Sequence, residues 1–236
     1  MAGYVGADDA DGGSLRLVFL GPPGAGKGTH AARCAAAWHI AHISTGDLFR
    51  EEARRATPLG KQLASYMQQG ALVPDALVLE LVLARLHSPD ARAGFILDGF
   101  PRTVAQAETL DRALAARQLP VELAIHFETS QSVVSRRLSG RRICRACGAN
   151  YNIHTLRPRL EGRCDCCGGE LYQRSDDLPE TVLKRLDVYR TESAPVLEHY
   201  RRRGLLREVN GDVELQELSQ MLTRLVHDEQ LLRSAP

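Results

Sequence analysis

Two groups of residues in this chain have the types and spacing to do chemistry. The first is Gly21-Pro-Pro-Gly-Ala-Gly-Lys27-Gly-Thr29, a dense run of glycines around one lysine and one hydroxyl. Glycines let consecutive backbone N–H groups turn inward around a phosphate, and the start of a helix adds partial positive charge. A lysine at this place reaches the β and γ oxygens of a nucleoside triphosphate. The common form of such a loop has Ser or Thr directly after the lysine; here Gly28 intervenes and the hydroxyl arrives at Thr29. A ligand-free Gly/Pro connection would explain the glycines but not Lys27 and Thr29.

The second group is sulfur. Five of the six cysteines fall within 24 residues: Cys144, Cys147, Cys164, Cys166 and Cys167. Cys144-x2-Cys147, sixteen residues, then Cys164-x2-Cys167 is four-thiolate metal spacing, with zinc the leading reading and iron or another soft-site metal able to take the same geometry. Free thiols or a redox pair are the competing readings. Both halves read Cys-x-x-Cys-Gly, so Cys166 is expected to stay free, because using it would tighten the second turn by one residue. Four thiolates leave no open position, so the metal's role is structural. Cys34, alone in an Ala-rich stretch, reads as a small buried hydrophobe.

Two further segments supply acid and base. Ile43-Ser-Thr-Gly-Asp-Leu-Phe-Arg50 looks like a helix entry, with Thr45 or Asp47 able to cap and Arg50 one turn in; by itself it is most simply a capped helix with a surface arginine. Gly94-Phe-Ile-Leu-Asp98-Gly-Phe-Pro-Arg102 ends a buried apolar strand in a carboxylate, the usual acidic partner of a phosphate loop and a holder of magnesium through water. A strand-end Asp that only caps a helix is the bland alternative.

These residues need elements to hold them. Leu15 to Leu20, Ile40 to Ile43, Gly94 to Leu97, Val121 to Phe127 and Leu205 to Val209 read as short strands. Helical stretches run from Lys27 to Trp38, Asp47 to Ala56, Leu59 to Gln69, Asp75 to Leu86, Thr103 to Arg117, Ser132 to Leu138, Pro179 to Tyr189 and Val213 to Val226, and Pro195 is expected to bend the helix that begins at Pro179. Alternating strands and helices predict an α/β fold with a parallel sheet covered on both faces and its ligand at the carboxyl edge. Residues 44–73, all helical, and 140–177, with the cysteines and little periodicity, break the rhythm and are expected to be flaps over that edge. The expected organisation is a tail at 1–14, a core at 15–43, 74–139 and 178–236, and these two insertions.

Hydrophobic residues are 44% of the 236 and formal net charge is +1, which gives no general case for nucleic acid or membrane surfaces. No apolar run approaches the ~18 residues of a membrane span. Met1 to Ser14 carries no Lys or Arg and reads as neither signal nor transit peptide. A soluble, cytoplasmic, monomeric chain is expected.

GPPGAGKGT, ISTGDLFR, GFILDGFPRTVAQAE and LSGRRICRACG, in this order and spacing, resemble the adenylate kinase family in its long, zinc-containing form, over residues 15 to about 225. The resemblance implies phosphoryl transfer between ATP and AMP, with magnesium on the nucleotide and zinc in a lid. It implies ATP phosphates on Gly24, Ala25, Gly26, Lys27, Gly28 and Thr29, and ATP also near Arg137, Arg141, Asn150, Tyr151 and the Val213 carbonyl. Asn150 stands where Thr is commoner. AMP would meet Thr45, Arg50, Leu72, Val73, Gly99, Phe100, Pro101, Arg102 and Gln106. Arg174 and Arg185 join Lys27, Arg102, Arg137 and Arg141 around the moving phosphoryl group. Arg136, Arg142, Arg145, Arg157, Arg159 and Arg163 read mostly as solvated charge. The runner-up is another nucleoside monophosphate kinase, of UMP/CMP or GTP-using type; Thr45 matches the adenylate enzymes, where pyrimidine kinases tend to carry Ala. A zinc-ribbon nucleic-acid-binding ATPase is the reading from another class, disfavoured by the weak charge and the lack of aromatics among the lid arginines.

Overall fold

The computed structural model describes residues 15–55 and 57–234, so the stretch read as a tail at 1–14 lies outside the described residues. Five parallel strands form one sheet in the order β2-β3-β1-β4-β8: β1 (Leu15–Leu20), β2 (Ala41–Ser44), β3 (Gly94–Asp98), β4 (Leu123–Glu128) and β8 (Leu206–Asn210). The run LRLVFL is apolar without alternation because both its faces are covered. Leu17 and Phe19 join Ile96, Ile125 and Phe127 on the side packed by helices α1 (Lys27–Trp38) and α9 (Leu215–Ser234). Val18 and Leu20 join Ile43, Phe95 and Leu97 on the side packed by α4 (Asp75–Leu86) and α5 (Val104–Ala115). Cys34 is buried in the first of these clusters, and burial pushes its thiol up to about 11.

The register brings the chemistry to one edge. Phe19 pairs with Asp98, and Ser44 pairs with Asp98 from the other side, so β1, β2 and β3 end level. The segments that leave them begin at Gly21 and Gly99, as loops, and at Thr45, directly as a helix. The segment after β2 is helical as expected, in α2 (Thr45–Arg54) and α3 (Pro58–Gln69), and its Phe49 and Leu63 belong to the same apolar cluster as the sheet. Ser44, not Thr45 or Asp47, caps α2: its Oγ accepts the Asp47 N–H at 3.3 Å. Thr45 cannot serve because it is already the first helical residue.

The cysteine segment holds more order than its sequence shows. After α6 (Gln131–Gly140) come β5 (Arg141–Cys144), β6 (Asn150–Asn152) and β7 (Leu171–Tyr172), an antiparallel sheet in the order β6-β5-β7. Its strands are too short to show alternation. The chain then returns through α7 (Pro179–Val188) and α8 (Pro195–Arg202). The break between them falls directly before Pro195, as expected: the backbone stays helical through Val188 and Ala194, and Pro195 has no N–H to offer the preceding turn. The break is a π-helical turn over Tyr189–Ser193, closed by the Ala194 N–H donating to the Tyr189 carbonyl at 2.8 Å.

Candidate functional site

A cavity of about 790 Å³ opens at the carboxyl edge of the large sheet, between the helical and the cysteine segments. Its floor is the glycine-rich loop. The Lys27 ammonium donates to the carbonyls of Gly21 at 2.7 Å and Pro22 at 2.8 Å, bracing the loop it belongs to. Burial pulls Lys27 down to about 8, against the attraction of Asp98 and with help from Arg102, Arg185 and Arg141. Gly28, the departure from the common loop pattern, has a steric cause: a Cβ there would stand 2.9 Å from Asp98 Oδ2. The first turn of α1 is packed directly on the strand-end carboxylate. Asp98 is therefore held against the lysine-bearing turn, where its oxygens suit a hard cation such as magnesium or that ion's waters.

The cavity wall is arginine. Arg102 Nε donates to the Gly99 carbonyl at 2.8 Å, and burial together with Arg185 pulls its guanidinium down to about 10. Arg174 is likewise pulled to about 10 by burial, Arg141 and Arg50, and its buried Nε has no hydrogen-bond partner among the described residues. Arg141 and Arg185 are held by carboxylates that the sequence reading did not single out. Asp177, wholly buried, takes the Arg141 Nε at 2.7 Å and a second, short contact to the same guanidinium. Arg185 donates to Asp176 at 3.0 Å and to Asp177 at 3.3 Å. The pair Asp176-Asp177 directly after Arg174-Ser175 was the available signal: two carboxylates beside a row of arginines. Arg50 sits 2.5 Å from Asp47 and lines the same cavity. Arg137 is anchored lower down, donating to the carbonyls of Gly211 at 2.7 Å, Val213 at 3.2 Å and Ala25 at 3.3 Å. It joins α6, the glycine-rich loop and the turn after β8.

On the opposite side, buried Thr45 donates to the Gly99 carbonyl at 2.9 Å. Gln106 is buried and fixed in orientation: its Oε1 accepts the Arg102 N–H at 2.7 Å and its Nε2 donates to Asp75 at 2.6 Å. Leu72, Val73, Gly99 and Pro101 line this side, and Phe100 is buried behind them. His42, 3.4 Å from Asp98 Oδ2, was not anticipated. From the cysteine segment, Asn150 and Tyr151 face the cavity, but the Tyr151 hydroxyl points away into the cysteine cluster.

The four cysteine sulfurs expected as ligands lie within 4.8 Å of one another: Cys144, Cys147, Cys164 and Cys167. Cys144 and Cys167 are 3.5 Å apart, as are Cys147 and Cys164. A tetrahedral ion with bonds of about 2.3 Å needs sulfurs about 3.8 Å apart. The halves are twin knuckles. The Gly148 N–H donates to the Cys144 carbonyl at 3.1 Å and the Gly168 N–H to the Cys164 carbonyl at 2.8 Å. Both glycines have φ near +75° (75° and 72°), which side chains with a Cβ rarely adopt. Cys166 stays outside the cluster, as the spacing predicts.

Comparison with known proteins agrees with this geometry. The family model for adenylate kinase matches residues 19–205. An adenylate kinase of Moorella thermoacetica is 52% identical over 197 residues, 84% of this chain and 91% of that protein. One from Thermodesulfovibrio yellowstonii is 48% identical over 204 residues, 86% of this chain and 95% of that protein. One from Thermosipho melanesiensis is 47% identical over 212 residues, 90% and 99%. A glycine-rich loop around a buried lysine, a strand-end carboxylate and a cavity walled with arginine thus occur in a sequence matched along most of its length, and the chain belongs to the adenylate kinase family.

Proposed function

We propose that the chain catalyses reversible phosphoryl transfer, ATP + AMP to two ADP, with magnesium on the ATP oxygens. One observation carries the reading: Lys27, Arg50, Arg102, Arg141, Arg174 and Arg185 crowd a single cavity, and one buried arginine donor in it has no partner among the described residues. Like charges gathered out of water repel, and a polyanion relieves that cost. Arginine forks match phosphate oxygens two at a time.

ATP phosphates would lie on Gly24 to Thr29, with the base beside Arg137, the Val213 carbonyl and the wall of Asn150 and Tyr151. AMP would take the side of Thr45, Arg50, Leu72, Val73, Gly99 to Arg102 and Gln106. Gln106 accounts for part of the choice of base, against uracil and guanine. A carboxamide has two donors and two acceptor positions, and one of each is used by Asp75 and Arg102. The remaining donor and acceptor meet the acceptor N1 and donor N6 of adenine. Because both ends are tied, the amide does not flip to suit uracil or guanine, whose edges set a ring N–H beside a carbonyl.

An oxygen of the AMP phosphate attacks the γ-phosphorus, a P–O bond to it forms, and its bond to the β–γ bridging oxygen breaks. The nucleophile is already an anion, so no side chain has to remove a proton. Catalysis is positioning and charge stabilisation. Lys27 faces the bridging oxygen, Arg102, Arg141, Arg174 and Arg185 face the moving group, and Asp176 and Asp177 keep two of those arginines from collapsing onto solvent. Segments 44–73 and 140–177 would close over the cavity and exclude water, which otherwise competes as acceptor. The cysteine cluster would hold zinc as a structural ion in the second of them, and the chain would act as a cytoplasmic monomer.

Turnover with ATP against AMP, CMP, UMP and GMP tests the reading. AMP is the best acceptor, and Lys27→Met loses ~10²-fold or more in turnover with its circular dichroism unchanged. A pyrimidine nucleotide outperforming AMP overturns the adenylate assignment, and normal turnover in Lys27→Met removes that residue from the mechanism.

A further inference from the structure

The twin knuckles are not equivalent in their surroundings. Around the first, no side-chain hydroxyl approaches a cysteine sulfur among the described residues. Around the second, the buried Tyr151 hydroxyl lies 3.4 Å from Cys164 Sγ and 3.9 Å from Cys166 Sγ. The same oxygen is 2.7 Å from the Asp165 backbone nitrogen. These contacts fix the direction of each hydrogen bond. The Asp165 N–H has only a donor to offer, so the tyrosine oxygen accepts there. The single phenolic proton is then free for sulfur, and the nearer sulfur is Cys164, one of the four that could hold an ion. A thiolate bound to a metal remains a good acceptor, and a donor beside it offsets part of the charge that four thiolates bring to one divalent ion.

Tyr151 also sits at a junction. It lies in the middle of β6, paired with Arg142 of β5. The next residue, Asn152, donates to the Arg137 carbonyl at 2.8 Å, and Arg137 reaches the glycine-rich loop. A β6 strand tied at Cys164 by one side chain and at Arg137 by the next links the cysteine cluster to the wall of the cavity.

We infer that Tyr151 is a positioning residue for the metal cluster: its hydroxyl donates to Cys164 and holds that ligand in place, beyond any contact its ring makes with a nucleotide. The inference rests on the reading of the four cysteines as a metal site.

Tyr151→Phe keeps the ring and removes the donor. Tyr172→Phe is the control, a tyrosine of the same small sheet whose ring lies 4.3 Å from the Arg145 guanidinium carbon and whose hydroxyl makes no hydrogen bond to the cysteines. Zinc affinity is read by competition with a chromophoric chelator, and cobalt(II) is substituted to read the thiolate-to-metal charge-transfer bands. Tyr151→Phe is expected to weaken zinc by ~10- to 100-fold and to move the cobalt bands to longer wavelength, since an uncapped thiolate gives up its electron more easily. Tyr172→Phe is expected to change neither. The band position reads the bond on sulfur itself, which a general loosening of packing leaves alone. Zinc affinity and bands unchanged in Tyr151→Phe, or equal losses in both variants, overturn the inference while the metal site stands. A wild-type chain that takes up neither zinc nor cobalt overturns the metal reading and the inference with it.

Discussion

The two segments that face each other across the cavity are held to the molecule by different physics. The helical one, α2 and α3, drives Phe49 and Leu63 into the apolar cluster that includes Val18, Phe95 and Leu97 of the sheet. Its stability is borrowed from the core of the whole protein. The cysteine segment buries Ile143 and a local cluster of Cys144, Tyr151 and Cys164, with Ala149 and Leu171 partly covered, and leaves Ile153, Leu156 and Leu160 exposed. So small a cluster cannot offset the backbone entropy of some thirty residues at about 1–2 kcal/mol each. A cross-link would have to replace it, and on the proposed reading four thiolates around one ion would be that cross-link. The difference implies that one flap fails only when the core fails, while the other can be released alone.

The largest effect therefore belongs to metal removal. Apparent zinc binding energies in small zinc peptides are ~10–16 kcal/mol and appear there as folding energy. Stripping the ion, or Cys167→Ser, should expose the backbone amides of 141–173 to rapid hydrogen exchange while those of 45–69 keep their protection. Cys166→Ser should retain one ion per chain. Loss of protection in both flaps would mean that they are one cooperative unit and would break the contrast.

Next in size is Leu63→Ala. The side chain is fully buried, and truncating such a leucine costs about 2–5 kcal/mol. The expected result is a lower Tm for the whole molecule, read by calorimetry, with metal content unchanged. A variant that lost protection in α2 and α3 alone, at an unchanged Tm, would show that the helical flap is as separable as the other.

The smallest is Thr57→Ala. Thr57 caps α3, its Oγ1 accepting the Gly60 N–H at 2.9 Å. Such caps are worth ~1 kcal/mol. Exchange should rise in the first turn of α3, with little change in metal content or in turnover at saturating AMP.

Much of the fold was legible because the strands are buried on both faces. LRLVFL and GFIL are apolar runs closed by glycine or by a carboxylate and glycine, and Asp75 to Leu86 carries helical spacing that the structure reproduces residue for residue. The glycine-rich loop and the four-cysteine spacing were legible because each packs its chemistry into a few consecutive residues. The hidden features are those that depend on distant partners. Asp177 means nothing until Arg141, thirty-six positions away in sequence, lies against it. The small sheet has strands of four, three and two residues, below the length at which alternation speaks. The reason for Gly28 is a carboxylate seventy positions later.

The π-turn between α7 and α8 works as a phase setting. In an unbroken helix, residues fourteen apart point within about 40° of each other. Val182 and Leu186 would then face nearly the same way as Val196 and Tyr200. They do not: the first pair packs on Val134 and Leu138 of α6, the second in the large apolar cluster of the sheet. One extra residue in the turn offsets the two halves by about 100°. The helix thus changes bearing midway without changing course, so that one length of chain is keyed to the sheet at one end and presents Arg185 to the cavity from the other. Removing a single residue between 189 and 193 would leave every side chain's chemistry intact and turn that arginine out of the cavity it lines.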